Sequence, residues 1–142
     1  MKYSDQEVSM PLQSSRKASN TLTNMEGSKI RVLVVDDDVK ILRFLSSSLR
    51  LAGYEVVTTT SGEEALQLVK SENPNIVILD ILMSPVDGFE VLERLRATSK
   101  LPVISISAHA SSAEKALSLG ANIFLSKPFR PDELVKRIDS VI

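Results

Sequence analysis

A doubly wound α/β sandwich, with five helices around an open five-stranded parallel sheet, is the fold class this sequence predicts. Three observations lead there. From Lys29 onward, short apolar runs alternate strictly with amphipathic stretches. Four of the five runs are nearly continuous in apolar residues, as in a parallel sheet covered on both faces. The connections are short, which favours right-handed crossovers. Five strand–helix units are too few to close an eight-stranded barrel, so the sheet stays open.

The strands are expected at Ile30–Val35, Val56–Thr59, Ile76–Leu79, Val103–Ile106 and Ile123–Leu125. Between them the apolar period becomes helical. Ile41, Leu42, Leu45 and Leu49 mark the first helix; Ala65, Leu66 and Val69 the second; Val91, Leu92 and Leu95 the third. Ala113, Ala116 and Leu117 mark a short fourth helix, and Leu134, Val135, Ile138 and Val141 a fifth. Ser61 and Glu64 form a capping-box pattern before the second helix. Gly53 and Gly120 follow the first and fourth helices, where a left-handed cap is common. Pro131 suits the first turn of the last helix.

A chain of 142 residues suffices for one domain with a substantial core. Residues 1–28 are rich in Ser, Thr, Asn and Gln without a sustained period, and their acids balance their bases. They are expected to form a disordered N-terminal tail, because they bury too little apolar surface to offset ordering entropy. Residues 29–142 would be the folded domain. The net charge of -1 provides no general attraction for nucleic acid. No apolar stretch approaches the ~20 residues that span a bilayer, and no apolar leader opens the chain. Cysteine is absent, which excludes disulfides, thiolate metal sites and cysteine nucleophiles. A cytoplasmic protein is the expectation.

The chemistry concentrates at strand ends, where open α/β sheets bind ligands. The first apolar run stops on Asp36, Asp37 and Asp38, and the third stops on Asp80. Like charges a few ångströms apart repel by several kcal/mol at an effective dielectric of roughly 20. Such a cluster calls for a cation, a raised pKa or a chemical task. Ser107 closes the fourth strand and Lys127 follows the fifth, just before Pro128. If the first and third strands are neighbours, the acids share one pocket, with Ser107 and Lys127 approaching from the other side. That set suits phosphoryl transfer: Mg²⁺ takes oxygen ligands, and Lys and Ser meet phosphoryl oxygens. Asp38 reads as the cap of the first helix.

Five segments, in order and at compatible spacing, carry a resemblance. They are Val-Leu-Val-Val-Asp-Asp-Asp (32–38), Ile-Val-Ile-Leu-Asp (76–80), Asp-Gly-Phe-Glu-Val-Leu (87–92), Pro-Val-Ile-Ser-Ile-Ser-Ala (102–108) and Gly-Ala-Asn-Ile-Phe-Leu-Ser-Lys-Pro-Phe (120–129). From about Ile30 to Ile142 the chain resembles the receiver domain of bacterial two-component response regulators. The resemblance implies a flavodoxin-like sheet in the order 2-1-3-4-5. It implies that Asp80 accepts a phosphoryl group from a sensor histidine kinase. Asp37 and Asp80 would ligate Mg²⁺, with the backbone carbonyl of Leu82 as third protein ligand and Asp36 acting mainly through a water. Ser107 and Phe124 match the pair that shifts on activation. Lys127 matches the phosphate-binding lysine, and Pro128 its cis-bonded neighbour.

Two departures are visible. Ser84 occupies the position where the family usually has proline, and Pro85 comes next. The interval from Ser107 to Gly120 is shorter than in many relatives, which predicts a short or late fourth helix. Leu82 and His109, the single histidine, would flank the site and set the lifetime of the phosphoryl group. The expected partners are the kinase and a downstream protein or effector domain, with a homodimer through the surface of the fourth and fifth helices. The rival reading is a Mg²⁺-dependent phosphatase with an aspartyl nucleophile. It lacks a second acid placed as general acid/base after Asp80 and any substrate-binding insertion. A dinucleotide-binding domain fits less well, since no glycine-rich loop follows the first strand.

Overall fold

The computed structural model describes residues 29–142; the tail expected over 1–28 lies outside the described residues. Five strands form one parallel sheet: β1 (Arg31–Val35), β2 (Glu55–Thr59), β3 (Ile76–Asp80), β4 (Val103–Ser107) and β5 (Ile123–Ser126). Their order is β2-β1-β3-β4-β5, as the resemblance implied. Most strands run one residue further at the C-terminal end than the apolar pattern suggested. Pairing continues past the apolar residues: Asp80 lies beside Ile106, and Ser107 beside Ser126. Asp80 and Ser107 are therefore the last residues of their strands and inherit the rigidity of the sheet, while Asp36 and Lys127 follow directly on the ends of β1 and β5.

The three central strands are buried on both faces. Val32 through Val35 are fully buried, as are Ile76, Ile78 and Leu79. Leu33, Val35, Val77 and Leu79 pack in a cluster with Ala65, Val91, Leu92, Leu95 and Ala116. This is the side of α2 (Gly62–Glu72), α3 (Gly88–Arg96) and α4 (Ala113–Ser118). Alternate strand residues point the other way. On the second face α1 (Val39–Leu51) packs beside α5 (Pro131–Val141), with Leu42, Leu45, Leu49, Leu134 and Ile138 buried. Burying one such side chain stabilises the fold by about 1.5–3 kcal/mol relative to leaving it exposed.

The helix ends follow the local chemistry with one exception. The Asp38 carboxylate accepts from Lys40 N at 2.9 Å and caps α1. Gly53 and Gly120 take φ of +100° and +109° beyond α1 and α4, a left-handed region costly for residues with a Cβ. The capping box forms only by half. Ser61 Oγ accepts from Glu64 N at 3.1 Å, but the Glu64 carboxylate bonds the Thr59 hydroxyl instead of reaching back. Ser61 N donates to Thr59 Oγ1 at 3.1 Å, so the buried threonine replaces the box. The fourth helix is indeed short and late: a 3₁₀ turn at Ala110–Ser112 precedes six residues of α4.

Candidate phosphoryl-transfer site

β1 and β3 lie side by side, while the chain leaves them toward opposite faces and opposite edges of the sheet. The gap beyond their C-terminal ends is the switch point of a doubly wound fold. Carboxylate oxygens of Asp36, Asp37 and Asp80 come within 4.8 Å of one another there. Asp36 is fully buried and Asp80 nearly so, at 3 % exposed, whereas Asp37 faces solvent. Asp38 does not join the cluster, because its carboxylate is committed to the start of α1.

The buried acids are held differently. Asp36 Oδ1 accepts from Asp38 N at 2.9 Å, and Oδ2 accepts from Lys127 Nζ at 2.8 Å. Asp80 Oδ1 accepts from Leu82 N at 3.2 Å, and Oδ2 lies 3.7 Å from Lys127 Nζ. One ammonium thus faces two carboxylates and bonds only one of them. Burial, followed by the repulsion of Asp36, pushes the Asp80 carboxyl up to about 7 from its ordinary 3.8. Lys127 and the Leu82 amide pull in the opposite direction and do not prevail. The donor set fits a small hard cation: clustered carboxylate oxygens with an excess of negative charge, opening on solvent at Asp37.

Lys127 is placed by the end of β5. Its backbone N donates to Ser107 O at 2.8 Å, and the Lys127–Pro128 peptide bond is cis. Ser107 is fully buried at the end of β4, where its Oγ accepts from His109 N at 3.0 Å. Phe124 is half-buried in β5 and packs against the core cluster. Leu82 is 42 % exposed and His109 is exposed, both in the loops just beyond the strand ends. The Ser84–Pro85 bond, where the loop departs from the family pattern, is also cis.

Sequence reasoning overlooked two contributors. Thr59 O accepts from Asp36 N at 3.2 Å, so the edge strand fixes the backbone of the first acid. Asp87 caps α3 by accepting from Glu90 N at 2.9 Å, which brings Gly88 against the end of β3. The Asp-Gly pair before an apolar helical run was a legible start signal. Nothing local marks Thr59.

The comparisons agree with this geometry. A family model described as the response regulator receiver domain matches residues 32–139. The probable transcriptional regulator ycf27 of Cyanophora paradoxa is 44 % identical over 120 residues, covering 83 % of this chain and 50 % of the relative. The alkaline phosphatase synthesis transcriptional regulatory protein PhoP of Bacillus subtilis (strain 168) is 35 % identical over 115 residues, 79 % of this chain and 48 % of PhoP. The chain spans about half the length of the curated relatives it matches. Among solved structures, the chemotaxis protein CheY4 of Vibrio cholerae superposes with a TM-score of 0.76 at 31 % identity, covering 81 % of this chain and 100 % of CheY4. A structure described as that of a putative response regulator from Chloroflexus aurantiacus gives 0.75 at 37 % identity, covering 80 % of this chain and 97 % of that one. These matches do not favour the phosphatase reading. The chain belongs to the response regulator receiver domain family.

Proposed function

We propose that Asp80 is the phosphoacceptor of a signalling switch and that a sensor histidine kinase supplies the phosphoryl group. The observation that carries this reading is the Lys127 ammonium, 2.8 Å from Asp36 and 3.7 Å from Asp80, at the mouth of the acid cluster. An incoming phosphoryl group there meets a nucleophilic carboxylate and a cation that bonds only Asp36 and can turn toward its oxygens.

Asp37 and Asp80 would hold Mg²⁺ directly, the Leu82 carbonyl would be a third protein ligand, and Asp36 would act mainly through a water. Bound there, the cation offsets repulsion among the acids and neutralises charge on the phosphoryl group. The other roles belong to the chain. An Asp80 carboxylate oxygen forms the new bond to phosphorus as the phosphorus–nitrogen bond of the kinase phosphohistidine breaks and the imidazole leaves. Lys127 exchanges part of its hold on Asp36 for the phosphoryl oxygens. Ser107 Oγ, an acceptor for His109 N, keeps its own proton to donate to the same group. Its movement frees or fills space near Phe124, and the surface of α4 and β5 follows. A coupling of about 1–3 kcal/mol suffices for a useful shift between two states.

A groove of ≈ 210 Å³ lined by Ile41, Phe44, Leu45, Lys127, Pro128 and Phe129 lies beside α1. Phe44 is 56 % exposed, and the lining is almost wholly apolar apart from Lys127. It supports docking of the kinase where the bound phosphohistidine would reach Asp80. Output would pass to a downstream protein partner or effector domain, or through a homodimer on the α4 and α5 surface. Among the described residues no helix is long and apolar enough to cross a membrane. We place the switch in the cytoplasm, beside the catalytic domains of such kinases. Leu82 and His109 flank Asp80 and Ser107 and would set the lifetime of the phosphoryl group by controlling water.

Phosphotransfer from a histidine kinase, or from a small-molecule phosphodonor, tests the assignment. Labelling of wild type and none of Asp80→Asn is the expected result. Equal labelling of the two overturns it.

A further inference from the structure

We infer that Gly88, the first residue of α3, is a positioning residue for the Asp80 carboxylate and the Leu82 backbone; the inference rests on the function proposed above. A Cβ built on Gly88 would lie 2.3 Å from Asp80 O, 2.5 Å from Ile81 Cα and 3.0 Å from Asp80 C. All three are backbone atoms at the end of a central strand, so none can swing aside as a side-chain tip can.

The close approach has a purpose beyond packing. Gly88 N donates to Ile81 O at 2.8 Å, and Met83 N donates to the same oxygen at 3.2 Å. Two donors on one carbonyl fold residues 81–83 back on themselves. That fold presents Leu82 N to Asp80 Oδ1 at 3.2 Å, the one backbone hydrogen bond to this carboxylate among the described residues. With Oδ1 so held, Oδ2 is the oxygen facing Lys127.

A methyl at position 88 cannot be absorbed on either flank. Val91, Leu92 and Leu95 are at most 3 % exposed and lock α3 into the core. Asp80 and Ile81 are held by the sheet, where Ile81 N donates to Ile106 O at 3.0 Å. The strain passes to the 81–83 turn, which carries the Leu82 amide and carbonyl. Outer contacts that orient a metal's ligands typically change its affinity by about 10–100-fold.

The test compares wild type, Gly88→Ala and Val91→Ala by titration with Mg²⁺ alone, following the backbone amide resonances. Val91→Ala loosens the same helix without adding an atom against the Asp80 and Ile81 backbone. The expected result is a folded Gly88→Ala whose Leu82 amide is shifted before metal is added and whose Mg²⁺ affinity is at least ~10-fold weaker. Val91→Ala should bind Mg²⁺ as wild type does. A folded Gly88→Ala with wild-type affinity and an unmoved Leu82 amide overturns the inference alone. Equal weakening in Val91→Ala also overturns it, because the effect would then follow helix stability. Failure of wild type itself to bind Mg²⁺ overturns the underlying reading and this inference with it. If Gly88→Ala does not fold, Asp87→Ala decides: uncapping α3 should move the Leu82 amide and weaken Mg²⁺ binding, and no change in either refutes the role.

Discussion

The two ends of the sheet treat polar groups in opposite ways. At the N-terminal end, polar side chains bond backbone groups and one another. Asn75 Oδ1 accepts from Arg31 N at 2.7 Å while Asn75 N donates to Arg31 O at 2.8 Å. Arg96 donates to Gly120 O at 3.0 Å, Ser99 O at 3.2 Å and Asn122 Oδ1 at 3.1 Å, and that oxygen also accepts from Val103 N at 2.9 Å. At the C-terminal end, Asp80 has one long hydrogen bond and an ammonium beyond hydrogen-bond reach, and Asp37 faces solvent. Satisfied polar groups close the sheet. Under-satisfied ones keep capacity for a ligand and cost stability in its absence.

Asp80→Asn should break that contrast most strongly. Labelling by phosphodonor should vanish while the metal-free protein becomes more stable near neutral pH. The folded state raises the Asp80 pKa from 3.8 to about 7, so it holds this proton more tightly than the unfolded chain does. The resulting contribution to stability is present below about pH 4 and is lost as pH rises toward about 7, up to ~4 kcal/mol in total. Denaturant unfolding of both proteins between these limits measures it. Asp80→Asn should flatten the wild-type decline, and Mg²⁺ should restore wild-type stability at the upper end. An equally steep decline in both proteins would assign it to other groups.

Lys127→Ala comes next. It leaves Asp36 and Asp80 facing each other without a cation and should cost about 3 kcal/mol in metal-free buffer, together with most of the phosphotransfer rate. Added Mg²⁺ should recover part of the stability, which unfolding curves with and without metal would show.

Arg96→Ala, at the other end, should cost about 1–3 kcal/mol, since it removes the Arg96 donors from Gly120 O and Ser99 O and one of the two donors to Asn122 Oδ1. Its Mg²⁺ affinity should match wild type. A weakened metal site in this variant would mean that the two ends are coupled.

The smallest effect on stability belongs to Leu82→Asn and His109→Ala, both exposed positions that should stay within about 0.5 kcal/mol of wild type. Their effect should be on the rate at which the phosphorylated protein hydrolyses. No change in either rate would remove both residues from control of the phosphoryl lifetime.

Much of this arrangement was legible residue by residue. Asp38 read as a cap because capping is a contact within two residues, and the structure has Asp38 bonded to Lys40. Asp36 and Asp80 stood out because charge at the end of an apolar run is rare without a reason. The shortened fourth helix followed from the Ser107–Gly120 spacing. Glu64 was misread within its box because the competing partner, the Thr59 hydroxyl, becomes available only when β2 ends beside α2. Gly88 stood in the sequence only as part of the Asp-Gly-Phe-Glu-Val-Leu segment (87–92), yet its consequence lies in the Asp80 and Ile81 backbone it approaches.

Periodicity, capping residues and apolar runs were enough to specify five strands, five helices, an open parallel sheet and which residues lie at its ends, because each is a local preference repeated along the chain. The division of labour among those end residues depended on contacts distant in sequence. Lys127 meets Asp36 across 91 residues and chooses it over Asp80 by less than 1 Å. Such a choice is made by strand order, register and the fit of a helix start against a strand end. These geometric quantities exist only once the sheet has closed around its core.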